Sequence, residues 1–240
     1  MMNISAENMD FRELNGKIRK AEDANICVEG CCGQRFIASG LESKEITLKG
    51  TPGNALGSYL NGASIHVYGN AQDAVGDTMN SGEIIIHGNS GDALGYAMRG
   101  GNIFVRGDAG YRTGIHMKEY QDKKPVIVVG GRVGSFLGEY LAGGVIVVLG
   151  LDERELPVGN FTGTGMHGGA IFIRTNKELK GLPEQVSVAV ASKADMAEVA
   201  PYIAGFSECF DFNADEIMAD RFYILRPNAK SPYKRLYVAN

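Results

Sequence analysis

Three consecutive stretches of the chain align without gaps: GTPGNALGSYLNGASIHVY from Gly50 to Tyr68, GNAQDAVGDTMNSGEIIIH from Gly69 to His87, and GNSGDALGYAMRGGNIFVR from Gly88 to Arg106. Each is 19 residues long. Outward from them the pattern continues in both directions. A unit opening at Gly107 with GDAGYRTGIHM is read as carrying four extra residues before it closes on PVIVV. GRVGSFLGEYLAGGVIVVL runs from Gly131 to Leu149, and GTGMHGGAIFIR resumes after an insertion, from Gly163 to Arg174. A degraded unit precedes them all, Gly30 to Lys49, with Ile46 and Leu48 in the places of Ile65 and Val67. About seven units therefore cover Gly30 to Arg174.

The columns of the repeat have a physical meaning. Gly57, Gly76, Gly95, Gly114, Gly138 and Gly163 form one column, read as structural corners. Leu60, Met79, Met98, Met117, Leu141 and Met166 form a large apolar column, read as a core ladder. Two further columns, Ile65, Ile84, Ile103, Val126, Ile146, Ile171 and Val67, Ile86, Val105, Val128, Val148, Ile173, lie two positions apart. That spacing is strand periodicity, with both residues on one face. Nineteen residues are too few for a strand plus a crossover helix, which needs roughly 30. A helical solenoid is disfavoured because a glycine in each helical turn costs about 1 kcal/mol.

The expectation is an all-β chain: a right-handed, single-stranded parallel β-helix of about seven coils that turns at its glycines. Residues 1–29 are read as an N-terminal cap of helix plus leading strand, 30–174 as the repeats, and 175–240 as a helical and extended C-terminal cap. Glu7 to Ala21 places Phe11, Leu14 and Ile18 at helical spacing. Met196 to Phe206, interrupted by Pro201, and Ala214 to Ala219 read as short helices.

Composition narrows the function classes. The chain has 240 residues, 24 Lys+Arg against 28 Asp+Glu, and a net charge of −4 without long blocks of one sign. This argues against a nucleic-acid or membrane-surface binder, which needs clustered basic charge. No apolar run approaches the roughly 20 residues that span a bilayer. The start, MMNISAENMD, lacks the basic and apolar parts of a signal peptide, so a cytoplasmic location is expected. Glycine, at 33 residues, is about double the usual share of roughly 7%.

Chemistry is weakly signalled. Cys27, Cys31 and Cys32 form a C-x3-C-C cluster, with Cys209 distant; zinc and iron–sulfur sites use other spacings. These thiols read as buried or incidental. His66 and His87 occupy different columns, and His116 and His167 stand in no metal-binding motif. His167, beside a glycine corner, reads as a polar residue bonded to backbone. No P-loop is present, and the glycine strings lack a following helix that could hold a phosphate. Asn54, Asp73 and Asp92 share one column and Asn70, Asn89 and Asp108 another. Stacked acids suggest a polysaccharide-cleaving groove, but Asn and Asp are also favoured at tight turns. The period is broken at Lys118 to Lys124 and at Leu151 to Phe161, and such insertions in a repeat array emerge as loops, often on a binding face. No catalytic, cofactor-binding or metal-ligating residue is assigned.

The G-x-x-G-x-x-x-G spacing, GEYLAGGVIVVLG and GTGMHGGAIFIR together resemble the GXGXG β-helix domain at the C-terminus of the glutamate synthase large subunit. RELNGKIR, CCGQRFIASGL and SPYKRLYV extend that resemblance over most of the chain. It implies a non-catalytic scaffold subunit in a complex that makes glutamate from glutamine and 2-oxoglutarate. Its partners would be a glutaminase-type amidotransferase subunit and an FMN-binding synthase subunit. FMN and iron–sulfur clusters would sit in those partners, none in this chain. The chain also resembles the β-helix subunit of formylmethanofuran dehydrogenase, a second reading. An autonomous carbohydrate-active enzyme is a third.

Overall fold

A computed structural model of the chain describes residues 1–151 and 156–228. The tail motif SPYKRLYV and most of the acidic stretch after Leu151 lie outside the described residues. The elements, in order, are β1 (Met2–Ser5), α1 (Phe11–Lys20), β2 (Asn25–Cys32), β3 (Glu45–Thr51), β4 (Asn61–Tyr68), β5 (Ser81–Ile86), β6 (Gly101–Val105), β7 (Pro125–Val129), β8 (Ala142–Val148), β9 (Gly168–Arg174), β10 (Val186–Val190), α2 (Lys193–Phe210), α3 (Ala214–Ala219) and β11 (Phe222–Pro227).

All the strands join one 11-stranded sheet in the order β1 through β9, then β11, then β10. From β1 to β9 every pairing is parallel, whereas β11 runs antiparallel to both β9 and β10. The repeat sets the register: Ile46 lies opposite Ile65, Ile65 opposite Ile84, and Ile84 opposite Ile103. The connections are stacked as well. Ala55 donates its N–H to the Asp73 carbonyl at 2.9 Å, and Gly57 donates to Ile37 at 2.8 Å. Ala71, Ser90, Ala109, Val133 and Val158 form a chain of isolated parallel bridges.

This architecture corrects the expected fold class. The sheet is open and mixed, does not close on itself, and ends in two antiparallel strands that the repeat does not encode. With a helical layer on part of one face it is of α/β type, not an all-β β-helix of seven coils. The physical reason lies in the apolar runs. The runs Ile84 to Ile86, Pro125 to Val129 and Val145 to Val148 are apolar at successive positions, so they need cover on both faces. One face packs Ile65, Ile84, Ile103, Ile127, Ile146 and Ile171 against Leu60, Met79, Met98, Met117, Leu141 and Met166, all without exposed surface. The other face packs Ile85, Phe104, Val128, Val147 and Phe172 beneath Val199, Ile203, Phe206 and Phe210 of α2.

The expected columns also slip by one residue after the first insertion. Ile103 pairs with Ile127 and Val105 with Val129, not with Val126 and Val128. The separation from Ile103 to Ile127 is 127 − 103 = 24 positions, five more than the repeat. Met117 still follows Met98 by 19, so the five extra residues lie between Met117 and Ile127. A one-residue slip exchanges the faces of a strand. Val126 and Val128 therefore pack under α2, while Ile127 and Val129 enter the other core. PVIVV is apolar at all its positions, so its sequence fits either register.

The flanks carry one helix before the repeats and two after them. α1 begins at Asp10, whose carboxylate accepts the Arg12 and Glu13 N–H groups at 2.7 and 3.0 Å, holding its pKa below the usual 3.8. Its Leu14 and Ile18 close one end of the first core. α2 is a single helix of 18 residues that runs through Pro201 and lies along the sheet. It is held in place by tertiary burial, which outweighs the hydrogen bond that proline cannot donate.

The start of α2 is pinned electrostatically. Asp195 Oδ2 accepts from Ser192 Oγ at 2.6 Å and Ser192 N–H at 2.7 Å, and Oδ1 pairs with Arg226 of β11 at 2.9 Å. The Ser192 hydrogen bonds, with Arg226 adding to them, lower the Asp195 pKa from 3.8 to about 2. A depressed carboxylate pKa contributes stability that is present above pH 3.8 and is lost as pH falls toward 2. Asp195→Asn is expected to flatten the acid limb of a thermal-stability-against-pH profile in that window. An unchanged acid limb would count against this pin.

Candidate interaction surface

The stacked acids are occupied by architecture. Asp73 Oδ1 accepts the Asp92 N–H at 2.9 Å, and Asp92 Oδ1 accepts the Tyr111 N–H at 2.8 Å. Asn70 and Asn89 do the same for Asn89 and Asp108, each at 2.8 Å, and Asp108 for Arg132 at 2.7 Å. Each side chain binds the backbone of the next unit, so the columns form a hydrogen-bonded spine and not a pair of opposed acids.

The histidines fall in separate places. His87 stacks on Tyr68 with centroids 4.3 Å apart, and Phe210 of α2 meets its edge at 5.2 Å. Burial, then His66 and Arg106, lower its pKa, which favours the neutral ring. His116 stacks on Tyr140 at 5.2 Å and meets Tyr96 edge-on at 5.9 Å. His167 Nδ1 lies 3.3 Å from the Gly165 carbonyl oxygen.

All four cysteines are free thiols. Burial, with a smaller effect of Cys27, pushes the Cys31 thiol up to about 11; burial, with Glu83 and Glu208, does the same to Cys209. Both shifts favour the protonated thiol over the thiolate. Among the described residues no group of three or more His, Cys, Asp or Glu side chains is placed to hold a metal ion.

The connections carry exposed rings: Phe36, 44% exposed, lies against Phe11 in the first of them, and a longer group follows further along the chain. In successive units the same left-handed position holds Ala55, Ala74, Ala93, then Arg112, Phe136 and Phe161. Four residues further on, Tyr59, Thr78, Ala97, His116 and Tyr140 occupy another left-handed column. Phe136 stacks on Phe161 at 4.9 Å, Arg112 lies 5.2 Å over Phe136, and Glu139 Oε2 accepts from Arg112 Nε at 3.1 Å. Phe161 stays 55% exposed.

Rings with an adjacent arginine are the side chains that anchor protein interfaces. The legible signal was spacing. Tyr68 and His87 are 19 apart, His116 and Tyr140 are 24 apart, and Phe136 and Phe161 are 25 apart: one repeat, with or without its insertion. What the surface offers is contact area and orientation.

An open, mostly parallel sheet with stacked glycine turns and exposed rings along its connections defines a class of repeat protein. The chain belongs to the family described as GXGXG motif, which matches residues 13–228. An uncharacterised protein of Methanocaldococcus jannaschii, MJ1350, is 44% identical over 248 residues, covering 98% of this chain and 95% of that protein. A chain in the crystal structure of the formyltransferase/hydrolase complex (FhcABCD) of Methylorubrum extorquens with methylofuran superposes with a TM-score of 0.66 at 18% identity. That alignment covers 92% of this chain and 90% of the other, a likeness of fold. No helix among the described residues is long and apolar enough to cross a membrane.

Proposed function

We propose that this chain is an assembly subunit of a multi-chain enzyme that handles formyl groups, the counterpart of the GXGXG-type subunit of formylmethanofuran dehydrogenase. The observation that carries the reading is the end-to-end fold likeness to a chain of a formyltransferase/hydrolase complex. The residues support it: the acids are committed to the spine, and the exposed chemistry is a contact surface of rings and an arginine. On this reading the chain holds no cofactor, and its partners carry the reaction. The formyl-handling set is preferred over the glutaminase and FMN-synthase partners implied by the glutamate synthase resemblance, because the complex that contains the similar fold is a formyltransferase/hydrolase.

Isolation of the complex from its native source through a tag on this chain tests the proposal. Chains of the formyltransferase or formylmethanofuran dehydrogenase kind are expected to co-purify in fixed stoichiometry. Recovery with glutaminase and FMN-synthase chains, or with no partner, would sink it.

A further inference from the structure

The two edges of the sheet are built differently. β1, at one edge, is four residues long, and a charge pair sits beside it, the Met1 amino group lying 2.9 Å from Asp23. β10, at the other edge, reads Val186-Ser187-Val188-Ala189-Val190 and has no strand on its outer side among the described residues. It contains no charge and no proline, two of the usual devices that keep an edge from pairing. Val188 and Val190 are 43% and 53% exposed. A free edge of β-branched and small residues is a template for another strand.

We propose that β10 is the contact through which two copies of this chain pair, antiparallel about a two-fold axis at Val188. The sequence of the edge is its own complement. Antiparallel pairing centred on Val188 sets Val186 against Val190 of the second copy and Ser187 against Ala189, so valine meets valine and small meets small. Beyond the strand, Glu184 falls opposite Ser192 of the second copy and next to its Lys193. Both charged residues are exposed, and neither has an ion-pair partner among the described residues. Such an interface is isologous and places no like charges face to face. A recess of about 430 Å³ lined by Leu179, Val188 and Tyr223 together with Asn176, Glu178 and Arg221 adjoins the axis and gives the second copy mixed apolar and polar surface beyond the strand. This inference stands apart from the identity of the enzyme complex.

The full-length chain, followed by sedimentation equilibrium over a range of concentrations, tests it. A reversible monomer–dimer equilibrium is expected. Val188→Lys and Val188→Glu should each raise the dissociation constant at least about tenfold, through lost valine burial and like charges on the axis. An equimolar mixture of the two variants should recover a dimer, because opposite charges then face each other. Their exposed position predicts thermal melts close to wild type, so a loss of pairing would not reflect unfolding. Three outcomes would overturn the proposal: a wild-type monomer throughout, variants that pair as well as wild type, or pairing only when the chain is truncated after Asn228. The last would make residues 229–240 the occupant of the edge.

Discussion

Met98→Asp is expected to abolish cooperative folding. Met98 has no exposed surface, and neither do Met79 and Met117, which precede and follow it in the column. It belongs to a buried apolar cluster that also holds Ile84 of β5, Ile103 of β6 and Ile127 of β7. A carboxylate placed there loses its hydration without gaining a partner. The effective penalty is several kcal/mol per ion, against a total stability of about 5–15 kcal/mol for a typical domain. Protonation relieves the charge but leaves a polar group unsatisfied in the same core. Met98→Leu, which conserves volume, should cost less than about 1.5 kcal/mol. Far-UV circular dichroism melts and soluble yield separate the two. A Met98→Asp protein that melts with wild-type cooperativity would place this side chain outside the interior.

What the sequence disclosed and what it concealed follow from where information is repeated. Ile46, Ile65, Ile84 and Ile103 stand at equal intervals and pair in that register, because parallel stacking of identical turns preserves the interval. The register was lost at PVIVV, where every residue is apolar and both faces are buried, so alternation carried no signal. The helix over that second face was legible only as fragments, since Pro201 argues locally for a break that burial of Phe206 and Ile203 overrides. The antiparallel end of the sheet came from residues outside the repeat, Val186–Val190 and Phe222–Pro227, which follow no period. The open sheet that results could not be read from a repeat whose glycine spacing predicts a closed coil. In the connections, the residues set apart by type were the acids, yet these hold the spine. The ring stacks Tyr68–His87 and Phe136–Phe161 emerge only once each unit is laid on the next.

The glycine column and the isoleucine column depend on each other, and Gly95→Ala with Ile127→Val measures how strongly. Gly95 has φ +67°, yet Ala93 and Ala97 of the same turn hold φ +56° and +50° with side chains in place. Left-handed backbone alone is therefore tolerated here, at a cost of about 1–2 kcal/mol per residue. What distinguishes Gly95 is space: a Cβ there would overlap Cδ1 of Ile127, an interior residue of the following unit. Gly95→Ala should lose that φ cost plus about 1–3 kcal/mol for displacing a packed side chain. Ile127→Val deletes the obstructing methyl and should itself cost about 0.5–1.5 kcal/mol. If overlap dominates, the double variant is more stable than the summed single losses predict, by at least about 1 kcal/mol in a denaturant-melt cycle. Additive losses would instead assign the whole effect to φ, and the tie between the two columns would fail.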